Sequence, residues 1–379
     1  MRQRLTTAIT SCAGESHAGH YIVSFADFLQ QRDGPRADEV RLDLRGIALG
    51  NAWIDPYHQY DVSRYAHARG LITEGQVRSL RRAERACQRK LDAKQWYSKQ
   101  CWDLLDTVID DSGQKGRARV SMYDSRNFPK SASDFPPGHL DIERYMSTKA
   151  VRDALHANRG SPGGGSVPSK FKECTDPPYM ALQHQDGLGV MRELARVLEK
   201  GEVDVLFYNG QYDVICNHLS SEKALGMLEW SGSKKYRAAP HTVWWSDTRK
   251  GGGPAGYAKA SGPLTLLLVN DAGHMVPLDL PEIALEMVSR LISRRGFADQ
   301  QQKIPDDGKG GAIASDCSRA EPEARALGEA GPSNATDNDD DLADAAPQGL
   351  STSDEILWLR AENLRLRQAL EVQVDSTGQ

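Results

Sequence analysis

The 379-residue sequence predicts an α/β fold built on a mostly parallel sheet, and two observations carry that expectation. From residue 188 onward, short apolar runs alternate with segments of helical periodicity. VDVLFYNG and the run Leu264 to Val269 are almost wholly apolar, as strands of a parallel sheet covered on both faces must be. Secondly, a serine, an aspartate and a histidine far apart in the chain each stand just beyond a strand or the place where one is expected. The carboxyl ends of parallel strands are where open α/β sheets place their sites.

Taken in order, the opening MRQRLTTAITSCAG leads into Gly14-Glu15-Ser16 with only Ile9 as a large apolar residue in TTAITSC, so the strand expected before Gly14 is weakly marked. It contains no apolar h-region, and no secretory signal is visible as written. Residues 22–31 put Ile22, Phe25, Phe28 and Leu29 on one face of a helix. Leu42, Leu44, Ile47 and Leu49 read as a short strand ending in the turn Gly50-Asn51. Residues 60–112 are charged and helical in pattern, with Thr73 as N-cap and Gln76 three residues on, a capping box. Loops at 127–138 and 160–169 flank a helical stretch at 141–157, so that about 60–175 reads as a helical cap inserted into the α/β framework. LGVMRELARVLEKG is an amphipathic helix closed by Gly201, Leu219 to Trp230 is a helix, and Pro281 to Arg294 is a final helix with proline in its first turn.

The framework is expected to fill residues 1–297. Residues 298–350 form an acidic linker too poor in large apolar side chains to offset ordering entropy, and are expected to be disordered. In 351–379, Ile356, Leu359, Asn363, Leu366 and Leu370 fall at coiled-coil spacing over two heptads; this short helix either supports weak self-association through 356–370 or stays solvated. The net charge of −5 argues against a nucleic-acid partner, and the longest apolar run is far short of the roughly 20 residues of a membrane span. Six cysteines (Cys12, Cys87, Cys101, Cys174, Cys216, Cys317) include no CxxC pair of a zinc or redox site; Cys87 and Cys101 either form a local disulfide or stay free. No metal or other cofactor is expected.

The chemistry centres on Gly14-Glu15-Ser16-His17-Ala18-Gly19. A nucleophilic serine on a sharp strand-to-helix turn needs small residues two positions either side, here Gly14 and Ala18. The following helix directs its positive end at the turn, and the backbone N–H of His17 can face an oxyanion. Asp213 follows the strand VLFYNG, and His274 lies in Asn270-Asp271-Ala272-Gly273-His274-Met275-Val276-Pro277 after the next buried strand. Each is weak evidence alone. Together, the order serine, aspartate, histidine is that of the α/β-hydrolase fold, with Ser16 as nucleophile, His274 as general base and Asp213 orienting the imidazole.

GESHAGHY resembles the nucleophile motif of the serine carboxypeptidase family, and GNAWIDPYHQY its glycine-asparagine segment with a downstream aspartate. VLFYNGQYDVICN, LEWSGSKKY and AGYAKASGPLTLLLVNDAGHMVPLDLP are similar to its aspartate and histidine segments, while YDSR and FKECTDPPYMAL fit its cap; the likeness spans about residues 12–297. The YNGQ and WSG wording leans toward the vitellogenic-like and retinoid-inducible branch. The resemblance implies a serine-type carboxypeptidase acting on peptide or protein C-termini through an acyl-enzyme, with acyltransferase activity on the same triad, or a non-catalytic interaction protein, as alternatives. It further implies that Glu15 binds the substrate's terminal carboxylate through a shared proton, that Cys216 and Met275 line the pockets beside the scissile bond, and that the protein belongs in a lysosome or vacuole or is secreted. Two departures stand out. His17 occupies a position where the family has tyrosine, and the family's upstream WNGGPGCSS-like segment, with its second oxyanion donor, is not found. The N-terminal part of the sheet is therefore expected to be incomplete and activity reduced, since losing one oxyanion donor costs about 10²–10³ in turnover.

Overall fold

The computed structural model describes residues 7–32, 41–113, 119–129, 139–157, 170–172, 175–246, 248–249 and 252–298. Among the described residues six strands, β1 (Thr7–Glu15), β2 (Arg41–Gly50), β3 (Asp204–Gly210), β4 (Thr242–Trp244), β5 (Gly256–Ser261) and β6 (Leu264–Val269), form one sheet in the order β1-β2-β3-β6-β5-β4. The first four of that order run parallel, and β5 and β4 complete the sheet antiparallel. Glu15 pairs with Gly50, Gly50 with Tyr208 and Gly210 with Val269, so the carboxyl ends of the four parallel strands share one edge of the sheet.

Alternation along the central strands fills both faces. Ile47, Leu49, Val205 and Phe207 pack toward α1 (Ala18–Gln31) and α9 (Met191–Lys200), against Val23, Ala26, Leu194, Val197 and Leu198. Ala48, Leu206, Tyr208, Leu267 and Val269 point the other way and meet Ile283, Ala284 and Met287 of α13 (Pro281–Ile292). Burial on both faces is why these strands carry apolar runs and not alternating ones.

The connection between β2 and β3 carries the helical layer: α2 (Pro56–Gln59), α3 (Ser63–Ala68), α4 (Glu74–Asp92), α5 (Lys99–Asp111), α6 (His139–Met146), α7 (Lys149–Ala154), α8 (Asp176–Leu182) and a 3₁₀ turn at Gln183–Gln185 precede α9. Beyond β3 lie α10 (His218–Met227) and α11 (Ser233–Ala238), and α12 (Val276–Asp279) follows β6. The capping box forms: the Thr73 N–H donates to Gln76 Oε1 at 2.8 Å, and the Gln76 N–H to Thr73 Oγ1 at 3.4 Å. Cys87 and Cys101 are disulfide-bonded, joining α4 to α5 within a cluster that includes Leu80, Leu91, Leu104 and Val108. Cys12 and Cys216 are free. Cys174, Cys317, the acidic stretch 299–350, the 351–379 helix and the 160–169 loop lie outside the described residues.

One expectation needs correction, and two elements went beyond what the sequence marked clearly. In α1 the buried face holds Gly19, Val23, Ala26 and Asp27, whereas Phe25 and Phe28 are exposed. Small residues let α1 approach β2 and α9 closely, and an added Cβ on Gly19 would lie 2.8 Å from the Trp53 carbonyl; bulky rings cannot occupy that face. The antiparallel pair β5 and β6, joined by a two-residue turn with Gly262 at φ 57°, was not legible as a hairpin. The weakly apolar first segment is nonetheless a nine-residue strand; among the described residues it stands at the sheet's edge and pairs with β2 alone.

Asp27 ties α1 to α9: both its oxygens accept from Arg196, at 2.9 and 2.7 Å. That pairing holds the Asp27 carboxyl below its ordinary range against the opposing effect of burial. A depressed carboxyl stabilises the fold above its unfolded pKa and loses that contribution as pH falls through the folded value. Asp27→Asn is therefore expected to lower stability by about 1–2 kcal/mol at pH 7, toward the low end of a charge-assisted pair because the guanidinium is half-exposed. Urea melts at pH 7 and below pH 3 check this; the difference between the two proteins should vanish in acid.

Candidate active site

Each parallel strand delivers one polar residue to the common edge: Ser16 after β1, Asn51 after β2, Asp213 after β3 and His274 after β6. Ser16 sits between strand and helix at φ 60°, a left-handed conformation that costs a non-glycine residue about 1 kcal/mol or more. The structure over-determines it. Its N–H donates to the Gly50 carbonyl at 2.9 Å, and its carbonyl accepts from Gly19 at 3.0 Å and Trp53 at 2.9 Å. The small flanking residues are required, since a Cβ on Gly14 would fall 2.7 Å from that of Ala18 and 2.5 Å from Ile22 Cδ1. His17 is the N-cap of α1, so its N–H precedes the first intrahelical bond, where backbone donors are unsatisfied by the helix itself.

Asp213 is fully buried and its oxygens are spoken for. Oδ2 accepts from Asn51 Nδ2 at 2.6 Å and lies 2.9 Å from His274 Nδ1, while Oδ1 accepts from the Cys216 N–H at 3.3 Å. Asn51 is equally buried and also receives the Gly210 N–H on its own Oδ1 at 3.2 Å. Sequence reasoning passed over Asn51. Its signal was the Gly50-Asn51 turn, whose asparagine adopts φ 42°, but a turn residue and a carboxylate support look alike in sequence.

His274 is held by its backbone as well as its ring. Its N–H donates to the Tyr123 carbonyl at 2.7 Å, and the Gly273 N–H to Asp279 Oδ2 at 2.6 Å. Arg126 clamps the same loop through the Asp271 carbonyl (2.7 Å) and Asp279 (3.1 Å). Burial disfavours a charged imidazole here, yet the neighbouring Asp213 charge and hydrogen bond, with a further contribution from Glu15, outweigh it and hold the ring's pKa above its ordinary value. With Nδ1 engaged by the carboxylate, Nε2 is the nitrogen left for acid–base work.

The aspartate–histidine link is thus made directly. Among the described residues no hydrogen bond joins Ser16 Oγ to the His274 ring in this conformation; such contacts are often long without substrate and tighten when it binds. Glu15 lies close enough to both Asp213 and His274 for their charges to be felt. Burial pushes its carboxyl upward; the His274 charge opposes this, and the charges of Asp213 and Asp279 add smaller upward contributions. Cys216 is buried, and burial first, then Asp213, drives its thiol well upward. Donor atoms of Asp213, Cys216 and His274 lie within 4.8 Å of one another, but a metal there would need a thiolate where the surroundings favour the thiol. Met275 is half-buried at the N-cap of α12. His17 departs from an aromatic wall in its own way: its ring stacks on His20 with centroids 4.8 Å apart, and its Nε2 lies 3.5 Å from Asp186.

A family model described as serine carboxypeptidase matches residues 4–294. The chain belongs to the serine carboxypeptidase family. Among its relatives, the pheromone-processing carboxypeptidase KEX1 of Phytophthora infestans is 36% identical over 293 residues, which cover 77% of this chain and 47% of that protein. The serine carboxypeptidase S10 family member 2 of Dictyostelium discoideum is 32% identical over 300 residues, covering 77% and 51%. The crystal structure of Kex1(delta)p, a prohormone-processing carboxypeptidase from Saccharomyces cerevisiae, superposes with a TM-score of 0.63 at 25% identity, covering 75% of this chain and 62% of that one. Two of these three bear the KEX1 name. The chain spans about half the length of the curated relatives it matches. The α/β-hydrolase architecture of the serine carboxypeptidase family agrees with the mostly parallel sheet.

Proposed function

We propose that this protein is a serine-type carboxypeptidase that removes residues from peptide or protein C-termini, with Ser16, His274 and Asp213 as its triad. The observation that carries this reading is the buried Asp213–His274 hydrogen bond at the sheet edge where the strained Ser16 turn also ends. Ser16 Oγ attacks the carbonyl of the last peptide bond while His274 Nε2 takes its proton. The tetrahedral oxyanion forms beside the His17 N–H, the imidazolium is stabilised by Asp213, and its proton passes to the leaving amine. Water then hydrolyses the acyl-enzyme by the same route. Glu15, with its raised pKa, supplies a proton for a hydrogen bond to the substrate's terminal carboxylate. Met275 lies beside the bond to be cut; Cys216 acts chiefly through its N–H, which supports Asp213. Residues 1–297 form the carboxypeptidase portion, with 60–175 as its cap. The Cys87–Cys101 disulfide and the relatives' processing roles support a lysosomal, vacuolar or secreted setting. No helix among the described residues is long and apolar enough to cross a membrane.

Incubation with a peptide bearing a free C-terminus, read by mass spectrometry, tests the proposal. Stepwise loss of C-terminal residues is expected, abolished in Ser16→Ala and in a C-terminally amidated peptide. Equal trimming by Ser16→Ala, or ester products in place of shortened peptides, would contradict it.

A pH profile tests the electrostatic coupling of Glu15 to His274. The reactive form needs neutral His274, so the rate falls as pH drops through that ring's raised pKa. Glu15 contributes to the elevation, and Glu15→Gln removes its charge. The acid limb of Ser16 labelling by a fluorophosphonate is therefore expected to move to lower pH in Glu15→Gln. No shift, or a shift upward, would contradict a Glu15 charge that raises the His274 pKa.

A further inference from the structure

Helix α4 carries six cations against three carboxylates, in a chain whose formal net charge is −5. They are not spread evenly. At 3.6 residues per turn, Arg78, Arg82, Arg85 and Arg89 fall within about 60° of arc, with Arg81 beside them, and the row is about 16 Å long. All five are exposed. The opposite face, Val77, Leu80, Glu84, Cys87 and Leu91, is buried, and the Cys87–Cys101 disulfide fixes the helix to α5 behind it. The row is therefore held rigidly and faces solvent.

Its charge is left largely uncompensated. Arg78 lies 3.9 Å from Glu74, which His67 also approaches at 3.6 Å. Arg82 donates only to the Ser79 hydroxyl, and among the described residues Arg81, Arg85 and Arg89 have no carboxylate partner. Asp92 closes the row at its far end, and Asp103 on α5 is engaged by Lys99. The pairs Arg78–Arg82, Arg81–Arg85 and Arg85–Arg89 are like charges at i,i+4, an arrangement that destabilises a helix on its own.

We propose that this arginine row is a binding site for a linear polyanion of the sulfated-polysaccharide class. A single file of guanidinium forks matches anionic groups repeated along a chain, because each fork can grip a sulfate or carboxylate in two places. The row has no exposed large apolar residue that would enter a bilayer. A disulfide at its back indicates an oxidising compartment, where glycans and not nucleic acids are the abundant polyanions. None of its residues is among those placed at the Ser16 site, so binding needs no catalytic activity.

The test is binding of a size-defined heparin octasaccharide to the full chain, measured by titration calorimetry across a salt series. Tight binding that weakens with salt is expected. The variant Arg82→Gln/Arg85→Gln/Arg89→Gln should bind about tenfold more weakly or worse at 0.1 M salt, as three exposed charge contacts imply. Glutamine preserves helix propensity and relieves the like-charge pairs, so the variant should melt no lower than the parent. Arg144→Gln/Lys149→Gln, on α6 and α7, removes exposed cations elsewhere and should bind as the parent does. The proposal is overturned if the parent does not bind the octasaccharide, if the triple variant binds unchanged, if the control weakens binding equally, or if phosphatidylserine vesicles bind where heparin does not. Should the triple variant unfold, Arg85→Gln alone must weaken binding measurably, and its failure to do so counts equally against the site.

Discussion

Asp213→Asn is expected to slow fluorophosphonate labelling of Ser16 by about 10⁴-fold at neutral pH while leaving the fold intact. The reason lies in how the carboxylate is used. Oδ2 faces two donors, Asn51 Nδ2 and His274 Nδ1, and Oδ1 faces a third, the Cys216 N–H. A carboxylate accepts from all three. An asparagine amide offers one oxygen and one NH₂ group, so in either orientation a donor meets a donor. If the NH₂ group faces the ring, Nδ1 must become the acceptor and the proton moves to Nε2, the nitrogen that should act as base. The negative charge that keeps the His274 pKa raised is lost in both orientations. Labelling rates together with thermal melts separate this chemical loss from unfolding.

Gly210→Ala is expected to be the most damaging single-methyl change, costing about 3 kcal/mol or more. Its Cβ would sit 1.8 Å from the Gly273 carbonyl oxygen and 2.7 Å from that of Ala272. Both obstacles are backbone, in the turn that presents His274, so relief must come from moving that turn away from Asp213. Loss of stability and loss of labelling should therefore appear together. Gly226→Ala is the matched control: it lies inside α10 with no atom within 4 Å of the added methyl, and better helix propensity should stabilise by up to about 1 kcal/mol. Urea denaturation of the two variants beside the parent measures both effects.

Much of this arrangement is legible in sequence because strands buried on both faces leave continuous apolar runs and the strand-to-helix turn leaves a small-residue signature. VDVLFYNG and LTLLLV located β3 and β6, and Gly14 and Ala18 located the Ser16 turn. What could not be read depends on packing between distant segments. Gly19 and Ala26 decided which face of α1 is buried, overriding the larger Phe25 and Phe28, because only small side chains permit the approach to β2. The support that Asn51 gives Asp213 spans 162 residues and leaves no local pattern. The clamp of Arg126 on the His274 loop is similarly remote, with the guanidinium groups of Arg126 and Arg69 each 4.5 Å from the Tyr212 ring. Capping at Thr73 is the contrasting case: partner and residue are three apart, so sequence alone located it.

Peptide mapping of the fluorophosphonate adduct tests most directly whether His274 activates Ser16. A single adduct on Ser16, formed by the parent and lost or slowed by orders of magnitude in His274→Ala, is the predicted result. An adduct on a different residue, or one on Ser16 that forms as quickly without the imidazole, would contradict the assignment.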